Sequence, residues 1–156
     1  MQLNYKKLIL CIAIPLLVGG LASLITGGGM DSFNELQKTP LSPPGILFPI
    51  VWTVLYTLMG IASYLVSSAD YDKEEINNAL FVYGLQLAVN FLWPVFFFSL
   101  EWYLFSFFWL LLLWFFIIRT IMLFLPISKT AAYLLIPYLL WVTFAGYLNL
   151  GIYILN

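Results

Sequence analysis

Formal charges divide the chain into five long apolar stretches. No Asp, Glu, Lys or Arg occurs from Leu8 to Met30, Leu41 to Ala69, Ile76 to Leu100, Trp102 to Ile118, or Thr130 to Asn156. A bilayer core about 30 Å thick takes roughly 20 helical residues to cross. Backbone N–H and C=O groups find no water there, so each stretch must close its hydrogen bonds internally as a helix. Trimming the polar ends predicts transmembrane helices I to V at about 8–26, 46–68, 77–98, 102–124 and 131–153. The fold class is an all-α integral membrane protein, a five-transmembrane-helix bundle in a single domain spanning 1–156. The competing reading of helix I is a signal peptide, since Lys6-Lys7 precede an apolar run. That run is long, however, and a small-residue cleavage site is vague.

The connections are unequal. Residues 27–45 form a long, turn-rich loop 1, with Gly27-Gly28-Gly29 at its start and Pro40, Pro43 and Pro44 near its end. Loops of that length inside a small domain are usually functional or mobile. The next loop is short and acidic (Asp70, Asp72, Glu74, Glu75), and the remaining two are tight. Lys6, Lys7, Lys73 and Lys129, with Arg119 reaching from the end of helix IV, fall on one side; only Lys38 falls on the other. The positive-inside rule then puts the N-terminus in the cytoplasm, and loop 1 and the C-terminus outside.

Composition narrows the chemistry. With 63% hydrophobic and 8% charged residues, the chain cannot cover itself for life in water, where about a quarter of a domain is charged. A net charge of −1 offers no basic field, so no nucleic-acid partner is expected. The single Cys11 allows no internal disulfide. With no histidine, a His-based triad, a His-ligated metal site and the commonest axial haem ligand are excluded; no metal site is expected.

Depth along each helix, at about 1.5 Å per residue, brings polar and aromatic groups into one leaflet beneath loop 1. Trp52 lies roughly 9 Å below that edge, Trp93 about 8 Å, Asn90 about 12 Å, Asn149 roughly 6 Å and Trp141 about 18 Å. Spacings of three and four set Trp52, Tyr56 and Met59 on one face of helix II. They do the same for Tyr83, Gln86, Asn90, Trp93 and Phe97 on helix III, and for Tyr138, Trp141, Ala145 and Asn149 on helix V. Gln and Asn are costly against lipid, so the helix III face points inward. Bland readings stand beside these. Trp102 and Tyr153 fit an interfacial belt, and Trp93 fits a belt or a pocket. Trp141 is too deep for a belt and is either packed core or pocket wall. Asn90 and Gln86 serve equally as hydrogen-bond glue between helices. Pro94 and Pro137 predict kinks, and Gly84 with Ala88 forms a small-xxx-small pair suited to a homodimer.

The motifs carry a resemblance that covers nearly the whole chain. Leu36-Gln37-Lys38, Pro43-Pro44, Phe48-Pro49, Val51-Trp52-Thr53, Leu55-Tyr56 and Met59-Gly60 resemble the first half of the translocator protein or tryptophan-rich sensory protein (TspO/MBR) family. Gln86 through Pro94, Pro137 through Trp141, Phe144-Ala145 and Leu148-Asn149 resemble its second half. The resemblance implies an often dimeric five-helix bundle with a pocket under loop 1. It also implies ligands such as protoporphyrin IX, with light- and oxygen-dependent degradation of that porphyrin in some bacterial members. Trp52, Trp141 and Asn90 match the family's pocket residues. The chain departs from the pattern where Ser32-Phe33 and Leu41-Ser42 stand in place of loop tryptophans, and where Trp109 replaces an acidic residue. No basic residue follows Tyr147 or Tyr153, which disfavours cholesterol as the native ligand.

The expectation is therefore a receptor-like membrane protein for porphyrins and other flat apolar ligands. The candidate ligand-binding residues are Trp52, Tyr56, Gln86, Asn90, Trp93, Tyr138, Trp141, Ala145 and Asn149. Asn90, Trp52 Nε1 and loop 1 amides, with Lys38 nearby, are the expected donors to propionates. No cofactor is expected to be bound permanently; protoporphyrin IX or a related tetrapyrrole is the ligand or substrate. If photochemistry follows, Trp52 and Trp141 are the candidate catalytic residues, as electron donors or radical carriers. The alternatives are a transporter of small amphipathic molecules and a structural or sensory partner protein. The expected setting is a prokaryotic inner membrane.

Overall fold

A computed structural model describes residues 2–27 and 29–156; Gly28, in the glycine run that begins loop 1, lies outside them. In chain order the elements are α1 (Tyr5–Ile25), α2 (Gly29–Glu35), α3 (Leu47–Ser67), α4 (Lys73–Pro94), a π-helical turn (Val95–Ser99), α5 (Tyr103–Phe124), α6 (Lys129–Leu134) and α7 (Ile136–Leu155). Among the described residues, five spans are long and apolar enough to cross a membrane: α1, α3, α4 with its π turn, α5, and α6 continued by α7. No strand occurs among the described residues. The protein is a multi-pass membrane bundle of five helices. One element the glycine-rich sequence does not announce is α2, a two-turn helix inside loop 1.

The ends of the helices follow local chemistry. Asn4, Asp72 and Ser128 cap α1, α4 and α6 by accepting from the amides of Lys7, Glu75 and Ala131. Glu74 and Glu75 in the first turn of α4 complement its dipole. Both expected proline breaks have a structural form. Pro94 has no N–H to return to the carbonyl of Asn90, and α4 passes into the wider π turn, where Leu100 N bonds Val95 O at 3.0 Å. Glu101 then takes φ of 57°, a left-handed conformation that reverses the chain into α5. At the other break α6 stops at Leu134 and α7 restarts with Pro137 in its first turn, where a missing N–H leaves no helical bond unmade.

The bundle is asymmetric along its axis. Near the end that holds the N-terminus, small residues fill the interior: Ala62, Ala79, Ala131 and Ala132 are fully buried. There α1 and α3 meet most closely at Gly60, where an added Cβ would overlap the Ile12 backbone and come within 2.7 Å of Cys11 O. The Asn4 amide donates to Tyr64 OH at 2.9 Å and Lys7 Nζ to Ser67 O at 3.1 Å, pinning α1 to α3 at that end. Near the loop 1 end the interior is aromatic, with Phe33, Phe97 and Ile152 forming a second core against Phe48, Trp93 and Tyr103. Apolar side chains such as Phe81, Phe108, Phe115 and Leu140 point outward, as suits a surface bathed in hydrocarbon.

Replacing Gly60 by Val should therefore destabilise the protein by about 1–3 kcal/mol through overpacking, read from thermal unfolding in detergent. Gly20→Ala is the contrast, because a Cβ at Gly20 meets nothing within 4 Å. Equal shifts for the two variants would deny the close approach of α1 and α3.

Candidate functional site

Bulky rings on the loop 1 side hold the helices apart and leave a cavity of about 430 Å³. That volume lies within the range of small-molecule sites, roughly 300–1,000 Å³. All five spans contribute to it. From α1 come Leu16, Gly19 and Ser23; from α3, Phe48, Trp52 and Tyr56; from α4 and its π turn, Asn90, Trp93, Phe97 and Phe98. Leu110 and Leu113 of α5 and Ala145, Leu148 and Asn149 of α7 complete the wall. Phe33, Lys38, Thr39 and Ser42 of loop 1 close over it.

A continuous line of buried hydrogen bonds runs through the floor. Tyr56 OH donates to Asn90 Oδ1 at 2.7 Å, Asn90 Nδ2 donates to Tyr138 OH at 2.7 Å, and Tyr138 OH donates to Gln86 Oε1 at 2.6 Å. Gln86 Nε2 ends the line at Met59 Sδ, 3.9 Å away, a weak acceptor. α3, α4 and α7 are thereby tied together through side chains that would otherwise sit unpaired in a medium without water. The Asn90 amide still has one N–H and one lone pair to offer, so it can hold the helices and also address a ligand. Asn149 uses its amide in the same way: it accepts from Trp93 Nε1 at 3.1 Å and donates to Tyr103 O at 2.8 Å. Its work is to fix the Trp93 indole, which stacks on Phe97 with centroids 5.0 Å apart.

Trp52 stacks on Tyr56 at 5.4 Å and meets Tyr138 edge-on at 6.2 Å, so its ring is backed by the same tyrosines that flank Asn90. An added Cβ on Gly19 of α1 would overlap the Tyr56 ring, which shows how closely that tyrosine is clamped from the other side.

Of the nine residues singled out from sequence, Trp52, Tyr56, Asn90, Trp93, Ala145 and Asn149 share the cavity wall. Tyr138, the partner of Asn90, and Gln86, the partner of Tyr138, are outside the wall and continue the line of bonds from Asn90. Trp141 is set apart. With Ile50, Val51, Val54, Leu55, Pro137, Leu140 and Phe144 it lines a separate, open apolar cleft between α3 and α7. Its ring meets Phe48 of the cavity wall edge-on at 5.8 Å, and its buried Nε1 has no acceptor among the described residues. Sequence reasoning missed the contributions of α1 and α5. Their signals are faint: on α1 Gly19-Gly20 and Ser23 interrupt an apolar run, and on α5 the buried Ser106 and Thr120 share the inward face with Leu110 and Leu113.

The sequence matches the TspO/MBR family over residues 11–155. This chain belongs to that family. It is 39% identical to the tryptophan-rich protein TspO of Chlorobaculum tepidum over 100% of this chain and 99% of that one. It is 35% identical to the protein of the same name from Archaeoglobus fulgidus, with 99% of each covered. To the translocator protein of Ovis aries it is 38% identical over 80% of this chain and 75% of the relative. Within this TspO/MBR chain, Trp109 donates its Nε1 to Val89 O at 2.8 Å and so joins α5 to α4.

Tyr138→Phe should leave both Asn90 Nδ2 and Gln86 Oε1 without partners. The expected loss is about 1–3 kcal/mol for each stranded group, measured by thermal unfolding. Adding Gln86→Leu to Tyr138→Phe should recover part of it, since one stranded acceptor is removed. Strict additivity of the two changes would show that the line of bonds is not coupled.

Proposed function

We propose that this protein is a receptor-like membrane protein that binds protoporphyrin IX and similar flat apolar ligands in the cavity beneath loop 1, and that it promotes their light-dependent degradation. The observation that carries this reading is the character of the cavity: an aromatic wall of Trp52, Tyr56, Trp93 and Phe97, with the amide of Asn90 at its base. A tetrapyrrole offers a wide π-face to such a wall, where offset stacking contributes about 0.5–1.5 kcal/mol per pair beyond area burial. The spare N–H of Asn90 is a donor for a pyrrole nitrogen or a ring substituent. Light absorbed by the ligand supplies the energy and dioxygen the oxidant; the protein's task is to position and to exchange an electron. Trp52 is the indole in direct reach, braced by Tyr56, whereas Trp141 acts at one remove through Phe48.

The setting proposed is a prokaryotic inner membrane, with the N-terminus cytoplasmic and loop 1 and the C-terminus outside, on the strength of the lysine and arginine distribution. A homodimer is the proposed assembly, because Gly84 and Ala88 lie exposed on the outer face of α4 and a Cβ on Gly84 would meet nothing.

Titrating protoporphyrin IX into the detergent-solubilised protein in darkness should quench tryptophan fluorescence to a saturating 1:1 end point. Absence of quenching would remove the porphyrin reading. Under illumination in air, Trp52→Phe should bind the porphyrin nearly as well as the parent yet slow its light-driven loss about tenfold, equivalent to about 1.4 kcal/mol of barrier. Trp141→Phe should slow it less. Unchanged rates in both variants would count against electron donation by either indole.

A further inference from the structure

The cavity and the apolar cleft that holds Trp141 lie on either side of one seam. α3 packs on α1 and, near the N-terminal end of the bundle, on α6, while α7 packs on α5. Between α3 and α7 themselves no comparable backbone contact forms, and no hydrogen bond joins the two directly among the described residues. Rings bridge the interval instead: Trp52 meets Tyr138 edge-on at 6.2 Å, and Phe48 meets Trp141 at 5.8 Å. Phe48 stands in the cavity wall and Trp141 in the cleft, so this second pair separates the one space from the other.

The cleft measures about 490 Å³ and faces outward, with Ile50, Val54 and Leu140 on its flanks each more than half exposed. Apart from Trp141 Nε1 its lining side chains are apolar, and helices keep their backbone bonds to themselves. The seam can therefore part in hydrocarbon without stranding a polar group. Nor does a polar bond hold the Trp141 ring. Trp93, Trp109 and Trp114 each donate Nε1 to an acceptor, whereas Trp141 Nε1 is buried without one among the described residues. A buried donor ordinarily finds a partner, so the position this ring now occupies is the less favourable for lacking one. Pro137 lines the same cleft, beside the break where α6, packed on α3, gives way to α7. The roof of the cavity is fastened by contrast: Gln37 exchanges two hydrogen bonds with the Asn156 side chain, and the Thr39 methyl is seated on Gly151.

We propose that the seam between α3 and α7 is a side entrance: the cleft receives a flat apolar molecule dissolved in the bilayer, and Phe48 and Trp141 turn aside to admit it to the cavity. The proposal rests on the cavity being the ligand site. Such a molecule partitions into hydrocarbon, and a lateral route never returns it to water. Phe48 and Trp141 then set how fast a ligand comes and goes, more than how tightly it is held.

Stopped-flow tryptophan quenching of the protein in nanodiscs, in darkness, tests this through the saturable signal from protoporphyrin IX and, separately, from pyrene, a flat uncharged probe. Val54→Phe and Leu140→Phe fill the cleft from outside the cavity wall. Each should slow association and dissociation together by about tenfold and move Kd by less than about twofold, since a barrier and not a site is altered. Trp141→Ala should speed both. Joining Gln37→Cys to Asn156→Cys with a thiol crosslinker, in Cys11→Ser protein, ties the roof and should leave the rates unchanged. Thermal unfolding confirms that each variant is folded. Unchanged rates in both cleft variants, or association lost on tying the roof, overturns the inference. So does slowing by Gly20→Phe, on the exposed side of α1 beside the cavity, in place of the cleft variants. If pyrene binds and the porphyrin does not, the proposed function falls while the pyrene rates still decide on the entrance. If neither binds, both fall together.

Discussion

In hydrocarbon an amide or phenol that leaves its partner has no water to turn to, and this constraint organises the interior. Asn90 stands at its centre, accepting from Tyr56 on α3 and donating to Tyr138 on α7. The hydrophobic effect does not drive helices together in lipid, where the surrounding tails are as apolar as the side chains. Close packing and paired polar groups must do so instead. The Tyr56–Asn90–Tyr138–Gln86 line supplies the second, and its direction fixes which faces of α3, α4 and α7 meet.

The first comes from residue size, and it is unevenly distributed. Where Gly60, Ala62, Ala79, Ala131 and Ala132 form the interior, the helices approach closely and leave nothing to fill. Toward loop 1 the interior positions pass to Trp52, Trp93, Phe97 and Phe33, whose rings prop the helices open. Pro94 widens α4 into a π turn at the same level and moves Phe97 and Phe98 onto the cavity wall. The cavity is thus a consequence of small side chains at one end and large, rigid ones at the other. Above it, loop 1 is fastened by Phe33 in the aromatic core and by Gln37, whose backbone exchanges two hydrogen bonds with the Asn156 side chain at 3.2 and 2.9 Å.

The pieces of the site differed in how far the linear pattern revealed them. Trp52 with Tyr56, and Gln86 with Asn90 and Trp93, announce a shared helical face because a polar residue on an otherwise apolar span has few tolerable directions. Trp141 shares a nominal face with Tyr138 and Ala145, yet its ring stands in the cleft beside α3. A spacing of three turns a side chain about 60° away from a spacing that closes the turn, enough to pass from the wall to the rim of a cavity. Leu110 and Leu113 were marked only by Ser106 and Thr120, two hydroxyls on the same face of α5, and Gly19 only by the adjoining Gly20, since a mostly apolar helix can present many sides to its neighbours. The question of glue or pocket for Asn90 has a physical answer in its valences: it serves the helices with one donor and one acceptor and retains another of each.

What the amino-acid order determined alone was the number of spans, their approximate ends, the side on which basic residues gather and the two proline breaks. These depend on local free energies, the transfer of each segment into lipid and the backbone chemistry of proline. What only the tertiary structure decided was which rings enclose the cavity, that Trp141 stands outside it, that loop 1 folds a short helix across it, and that Lys38 and Thr39 meet on its wall. Those outcomes depend on how helices distant in sequence rotate and tilt against one another, and in a chain this uniformly apolar, packing rather than polarity sets those angles.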